Sequence, residues 1–153
     1  MAESTLEIGI VSCSGEDCLG GTISRLATRR MLEEREDNAV TICLPLYLAG
    51  GEEERTFAKD YPTITVDGCS KCCAKRATEK YSGKVSESID VSDLIGKAAA
   101  ESPGLSTRAL TREHHEMVNK VFGEIRVKFD AVMMANAGEA ATNGKKTNGC
   151  GCS

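Results

Sequence analysis

The stretch that decides the fold is an apolar segment that runs directly into a short turn, Pro62-Thr63-Ile64-Thr65-Val66-Asp67-Gly68-Cys69. Its β-branched residues are typical of a buried strand. A helix is predicted to follow over residues 71–81 and to end at Gly83, since glycine commonly terminates helices. The segment therefore predicts a strand–turn–helix unit, from which parallel α/β sheets are built.

The same order of elements recurs on both sides of this unit. Upstream, residues 6–11 predict a first strand, 23–35 a helix, and 39–44 a second strand, buried on both sides and stopped by Pro45. Downstream, residues 84–91 predict a fourth strand. Strands that alternate with helices indicate a three-layer α/β fold, Rossmann-like or flavodoxin-like, with a parallel sheet of about four strands flanked by helices.

The C-terminal part of the chain predicts one long helix and a tail. Apolar residues recur at intervals of three and four from 106 to 134, which predicts a helix whose apolar face packs on the core or forms a dimer interface. Residues 135–153 show no periodicity and predict a flexible tail that contains cysteines. The predicted organisation is a single domain over residues 1–134, followed by this tail.

Composition excludes several classes of function. The 153-residue chain has a formal net charge of −4 and no basic block, so we expect no nucleic-acid partner. No apolar run is long enough to cross a membrane, and the first residues do not resemble a signal peptide, so we expect a cytoplasmic protein without membrane contact. Eight cysteines in a reducing compartment indicate metal binding or thiol chemistry rather than disulfides.

The cysteines are placed at the ends of predicted strands. Cys13 follows the first strand, Cys43 lies near the end of the second, and Cys69 follows the third. Because parallel strands end at one edge of a sheet, these thiols can converge there, and Cys73 lies one helical turn after Cys69. Free amides at the helix start would favour thiolates. Thiolates suit zinc, copper(I) or an iron–sulfur cluster. We predict a zinc site, with an iron–sulfur cluster as the alternative.

Other interpretations of the same cysteines stay open. Cys43 lies between two aliphatic residues and could be an inert buried thiol. Cys18 is a further candidate ligand in the loop after the first strand. Cys69 and Cys72 form a Cys-x-x-Cys pair, so a thiol redox or sulfur-transfer enzyme that uses Cys69 with Cys72 or Cys73 is the competing hypothesis.

The run from Ile64 to Lys75 resembles the hallmark of the DGC-domain family of proposed zinc-binding proteins, in which Asp-Gly-Cys is usually followed by three residues and Cys-Ala. Weaker similarities lie upstream at Cys13-Ser14-Gly15 and at Cys43-Leu44, and together the resemblance spans residues 6–95. It implies four chelating cysteines and no established activity. In this chain the four fall on Cys13, Cys43, Cys69 and Cys73.

Three remaining motifs are weaker. Residues 15–22 have phosphate-loop spacing, but Gly21 stands in place of the lysine. The His114-His115 pair has no zinc-protease partner residues and is interpreted as a solvated pair. Cys150 and Cys152 could form a mobile arm that hands over metal. A homodimer or an unidentified protein partner is also possible.

Overall fold

A computed structural model of the chain describes residues 5–143, with side chains described through residue 138. The four strands are β1 (Ile8–Ser12), β2 (Ala39–Val40), β3 (Thr63–Asp67) and β4 (Glu87–Asp90). The α-helices are α1 (Leu19–Glu34), α2 (Leu46–Ala49), α3 (Glu52–Arg55), α4 (Phe57–Asp60), α5 (Cys73–Tyr81), α6 (Val91–Ile95), α7 (Lys97–Ala100) and α8 (Arg112–Asn143). A short 3₁₀ turn, Thr107–Ala109, precedes α8.

The strands form one parallel sheet in the order β2-β1-β3-β4. Gly9 lies opposite Thr63, and Ser12 lies opposite Val66, so β1 and β3 end nearly level with each other. This is the flavodoxin-like strand order without its fifth strand. The predicted α/β fold is therefore confirmed.

Helices cover both faces of the sheet. One face of the central strands packs against α1 and α8 through Ile10, Ile64 and other aliphatic side chains. The other face packs Val11 of β1 against Tyr47 and Phe57, which come from α2 and α4. Because β1 and β3 are buried on both sides, their sequences are continuous apolar or β-branched runs.

The second strand differs from its prediction. Residues 39–44 were expected to form a strand buried on both sides, but β2 contains only Ala39 and Val40, Ile42 is half-buried, and Cys43 is exposed. The apolar run does not reveal that β2 lies at the edge of the sheet, where only one side has a partner strand. The helix after β3 also begins later than expected, at Cys73.

The last helix is longer than predicted. It runs from Arg112 to Asn143, so residues 135–143, expected in the tail, continue the helix. The rest of the predicted tail lies outside the described residues. Side chains join α8 to α1, with Arg126 bonded to Glu34 at 2.6 Å.

The described residues were also searched for membrane-spanning segments. Over residues 5–143, no helix combines the length and the apolar character that crossing a membrane requires.

Candidate functional site

Two loops meet where the strand order reverses. From β1 the chain passes to β2 on one side, and later to β3 on the other side of β1. The loop after β1 and the loop after β3 are therefore neighbours at the topological switch point. In open α/β sheets this crevice, at the carboxyl ends of the strands, is where ligands bind.

Glycines allow the two loops and the start of α1 to touch through their backbones. A Cβ added to Gly68 would lie 2.3 Å from the backbone nitrogen of Gly21, and one added to Gly20 would lie 1.9 Å from the carbonyl oxygen of Gly68. A Cβ added to Gly15 would lie 2.3 Å from Cα of Gly21. Side chains at these positions would force the loops apart, so close approach explains the glycines.

Cys13 lies at the centre of this contact and is only 6% exposed. Its Sγ accepts a hydrogen bond from the Gly68 backbone N–H at 3.2 Å and lies 3.6 Å from Oγ of Ser24. Burial raises the pKa of the Cys13 thiol, while the Gly68 amide and Ser24 act in the opposite direction. The buried thiol is therefore protonated in the metal-free protein at neutral pH, and the Gly68 amide is positioned to stabilise a thiolate.

Four thiols line one cavity of about 390 Å³ beside this contact. We call it the switch-point cavity, and it is lined by Cys13, Cys18, Cys69, Cys73, Gly15, Asp17, Lys71 and Glu101. Cys18 and Cys69 are half-buried and Cys73 is exposed. This set of soft donors fits a thiophilic metal. Over the described residues, however, no three His, Cys, Asp or Glu side chains are grouped closely enough to hold an ion as they stand.

Asp67 determines how α5 begins. Its carboxylate is 1% exposed and accepts hydrogen bonds from the backbone N–H groups of Ala74 at 2.6 Å and Lys75 at 3.1 Å. Burial raises the pKa of Asp67, and these two amides partly offset the increase. These two amides at the start of α5 are therefore bonded to Asp67 and are not available to favour a Cys69 or Cys73 thiolate.

Cys72 is set apart from its neighbours. It precedes α5 with left-handed backbone angles, φ 50° and ψ 49°, and it does not line the switch-point cavity. Burial raises the pKa of its thiol first, and the negative charges of Asp67 and Asp90 raise it further. These effects oppose a thiolate at Cys72.

Cys43 lies on the opposite side of β1. It follows β2, and two strand spacings, about 10 Å, separate β2 from β3. Cys43 lines a second cavity of about 450 Å³, which also reaches Cys13. Its thiol is exposed, so the interpretation of Cys43 as a buried inert residue is wrong. The structure thus brings Cys13, Cys69 and Cys73 to one cavity with Cys18, and places Cys43 in the neighbouring cavity.

A segment distant in sequence completes the switch-point cavity. The carbonyl of Ser102 accepts a bond from the Leu19 N–H at 2.9 Å, and the Gly104 N–H donates to the carbonyl of Asp17 at 3.1 Å. This pairing holds the loop after β1 and brings Glu101 to the cavity wall. No motif or spacing in the sequence indicates Glu101, because its contact with the cavity arises only from tertiary pairing.

The histidine pair has a local structural role. Nδ1 of His114 accepts a hydrogen bond from the backbone N–H of Thr111 at 3.0 Å, at the start of α8. His115 lies next to it on the exposed beginning of the same helix. Neither residue lines the switch-point cavity.

The fold and this cavity define a class of protein, a small parallel α/β domain with thiols at its switch point. The family model described as the DGC domain matches residues 9–121, and the chain belongs to that family. This match confirms the resemblance seen in the sequence. No curated protein and no solved structure gives a significant match.

Proposed function

We propose that this chain is a metal-binding protein that holds one zinc ion with Cys13, Cys43, Cys69 and Cys73. The observation that carries the proposal is that three of these thiols line a single cavity at the switch point of the sheet. Zinc in structural sites takes four ligands in a tetrahedron, and thiolates are among its commonest ligands. A closed four-thiolate site gives the metal a structural or sensory role, whereas an open position supplies a Lewis acid.

The surroundings of the thiols support the same proposal. Four thiolates around a divalent ion carry a net charge of −2, and Lys71 lines the cavity where it offsets part of this charge. The Gly68 N–H already donates to Cys13 Sγ, and such a second-shell bond orients a ligand and stabilises its charge. The thiols need to move closer together on binding, because they are not grouped at ligand distances.

The fourth ligand is the least constrained part of the proposal. We assign Cys43, because it follows the strand next to β1 and shares the second cavity with Cys13. The loop after β2 then has to reach across the end of β1. Cys18 needs no such movement, since it already lines the switch-point cavity, and it is the alternative fourth ligand.

Elemental analysis of protein purified without added metal tests the proposal. We expect about one equivalent of zinc per chain, lost in Cys69→Ser and in Cys73→Ser. Cys72→Ser is the matched control, because Cys72 is adjacent in sequence but lies outside the cavity. Cys150→Ser should also leave the metal unchanged. A wild-type content under about a tenth of an equivalent of any metal contradicts the proposal.

A pair of variants identifies the fourth ligand. If Cys43 is the ligand, Cys43→Ser lowers zinc affinity and Cys18→Ser does not. The reverse result transfers the role to Cys18. Competition with a chelator measures the zinc affinity of each variant and separates the two results.

A thiol redox or sulfur-transfer enzyme is the second candidate. Cys69 and Cys73 favour it, since both thiols are accessible in one cavity beside the cation of Lys71. The raised pKa of Cys72 favours Cys69 as the attacking thiol, with Cys72 or Cys73 as its disulfide partner. Alkylation separates the candidates. Thiols that stay protected until a chelator is added support metal binding, and a reversible disulfide supports the enzyme.

The identity of the metal is a separate question. An iron–sulfur cluster bound to the same cysteines absorbs visible light, whereas a zinc thiolate site is colourless.

We propose the cytoplasm as the location, because a reducing compartment keeps ligand thiols free. Predictions about partners, namely no nucleic acid and either a homodimer or another protein partner, stay predictions.

A further inference from the structure

The second cavity lies between the loop after β1, residues 25–32 of α1 and the segment after β2. We call it the arginine cavity, and the residues that matter here are Arg25, Arg29, Thr28, Glu16, Thr41 and Leu44. Its volume, about 450 Å³, is within the usual range for small-molecule sites. The metal-binding proposal makes no use of its positive charges.

Two arginines place positive charge in this cavity. Arg25 and Arg29 are four residues apart on α1 and therefore lie on one face of the helix. Glu16 lines the same cavity and is bonded to Arg25, so it neutralises one of the two charges. Arg29 lies at the mouth with a 73% exposed side chain, and its ion pair with Glu33 at 3.6 Å is equally exposed. Exposed pairs of this kind contribute little, so Arg29 is free to bind another anion.

Thr28 supplies a second, independent observation. It lines the cavity between the two arginines and is 3% exposed, and over the described residues its hydroxyl has no hydrogen-bond partner. A buried hydroxyl without a partner costs about 1–3 kcal/mol. A threonine in a helix has two accessible χ1 rotamers, so a rotation can turn this hydroxyl toward a ligand in the cavity.

Part of the wall is apolar. The aliphatic side chains that line the cavity are Leu32, Ile42 and Leu44. A cavity with an apolar wall and a few convergent polar groups suits a small organic molecule better than a bare ion. Arginine and hydroxyl groups together recognise carboxylate and phosphate oxygens.

We propose that the arginine cavity binds a small organic anion, with its carboxylate or phosphate oxygens on Arg25, Arg29 and the Thr28 hydroxyl and its short apolar body against Leu32 and Leu44. Cys13 and Cys43, two of the proposed zinc ligands, also line this cavity. The anion contacts named here use neither thiol, so the proposal does not require bound metal.

Titration of the full chain with three probes, followed by backbone amide NMR shifts, tests this site. The probes are inorganic phosphate, acetate and valerate. We expect saturable shifts around Thr28 and Arg29. If phosphate alone produces the shifts, the cavity recognises a phosphate group. If valerate binds more tightly than acetate, the cavity recognises a carboxylate with an apolar body. The absence of saturable shifts with all three probes overturns the proposal.

Variants show whether the named residues form the site. Arg29→Gln should weaken binding about tenfold, and Thr28→Val about fivefold. Glu16→Gln should tighten binding about threefold, because it frees Arg25, and a gain of affinity cannot come from misfolding. Arg112→Gln is the matched control, since Arg112 is 94% exposed on α8 and paired with Glu116. Equal weakening in Arg112→Gln, or no gain in Glu16→Gln, overturns the proposal. Cys69→Ser, which removes a proposed zinc ligand, should bind the probes as tightly as wild type. The metal-binding proposal and the anion-binding proposal can therefore be rejected independently.

Discussion

The switch-point cavity and the arginine cavity lie on opposite sides of one strand, and both are lined by Cys13. The switch-point cavity contains four thiols, two carboxylates and one lysine, whereas the arginine cavity contains two arginines, one carboxylate, two thiols and several hydroxyls. One loop, the loop after β1, contributes to both. The carboxyl edge of this parallel sheet is therefore not one site, because strand order divides the loops that end there.

The two cavities also differ in what holds their walls. Two features hold the wall of the switch-point cavity in place. One is the set of backbone contacts between glycines, and the other is the hydrogen bonding of the buried Asp67 carboxylate to the start of α5. Long side chains on α1, of which Arg29 is largely exposed, form one side of the arginine cavity. We therefore expect substitutions at the first cavity to cost more folding free energy than substitutions at the second.

The largest effect is expected for Gly68→Ala. The new Cβ would meet the Gly21 backbone at 2.3 Å, which backbone shifts must relieve, so we expect a loss of about 3 kcal/mol of unfolding free energy in urea. Gly123→Ala is the control, because no atom lies within 4 Å of its added Cβ in α8. It should stabilise the protein by up to about 1 kcal/mol, as alanine favours helix. Similar values for both variants would show that the Gly68 contact does not constrain the switch-point cavity.

Asp67→Ala should have the next largest effect. It leaves the Ala74 and Lys75 amides without their partner, and we expect a loss of about 2 kcal/mol. Asp90→Ala is the comparison, because Asp90 caps α6 in the same way through the Ser92 N–H at 2.9 Å. Both should lower the unfolding midpoint, but only Asp67→Ala should also reduce bound metal. An equal loss of metal in both would show that stability alone controls the site.

Substitution by valine should have opposite effects on stability at two threonines of the arginine cavity. Thr28→Val removes a buried hydroxyl that has no partner over residues 5–138, so it should stabilise the ligand-free protein by about 1 kcal/mol. Thr41→Val should destabilise it by about 1 kcal/mol, because the Thr41 hydroxyl donates to the Ile10 carbonyl at 2.6 Å. Thermal unfolding measures both. A loss in both variants would mean that the Thr28 hydroxyl is satisfied in solution.

The smallest effect lies outside both cavities, where α8 supports α1. The hydrogen bond and charge of Arg126 lower the pKa of Glu34 below its usual 4.5. A lowered acid pKa stabilises the fold above about pH 4.5, and this contribution is lost as the pH falls through the folded-state value. Wild type should therefore melt slightly above Glu34→Gln at pH 7, and the difference should shrink as the pH falls below about 4.5. A difference that persists at low pH would assign it to packing.

The local chemistry of the switch point was predictable. The strand from residue 63 to 67 could be read from its β-branched residues, and the cysteines after β1 and β3 follow directly from where these strands end. The edge position of β2 could not be read in this way. An apolar run of six residues is compatible with a central strand or with a short edge strand, because burial depends on what the rest of the chain places alongside.

The parallel α/β class, the family and the cluster of thiols at strand ends can be predicted from the sequence, because they depend on periodicity and on residue type at short range. Which residues share a cavity depends on the tertiary structure. The order β2-β1-β3-β4 places Cys43 across β1 from Cys69, and the pairing of Ser102 and Gly104 with the loop after β1 brings Glu101 to Cys18. Both outcomes depend on contacts between segments far apart in the chain, and no local pattern encodes these contacts.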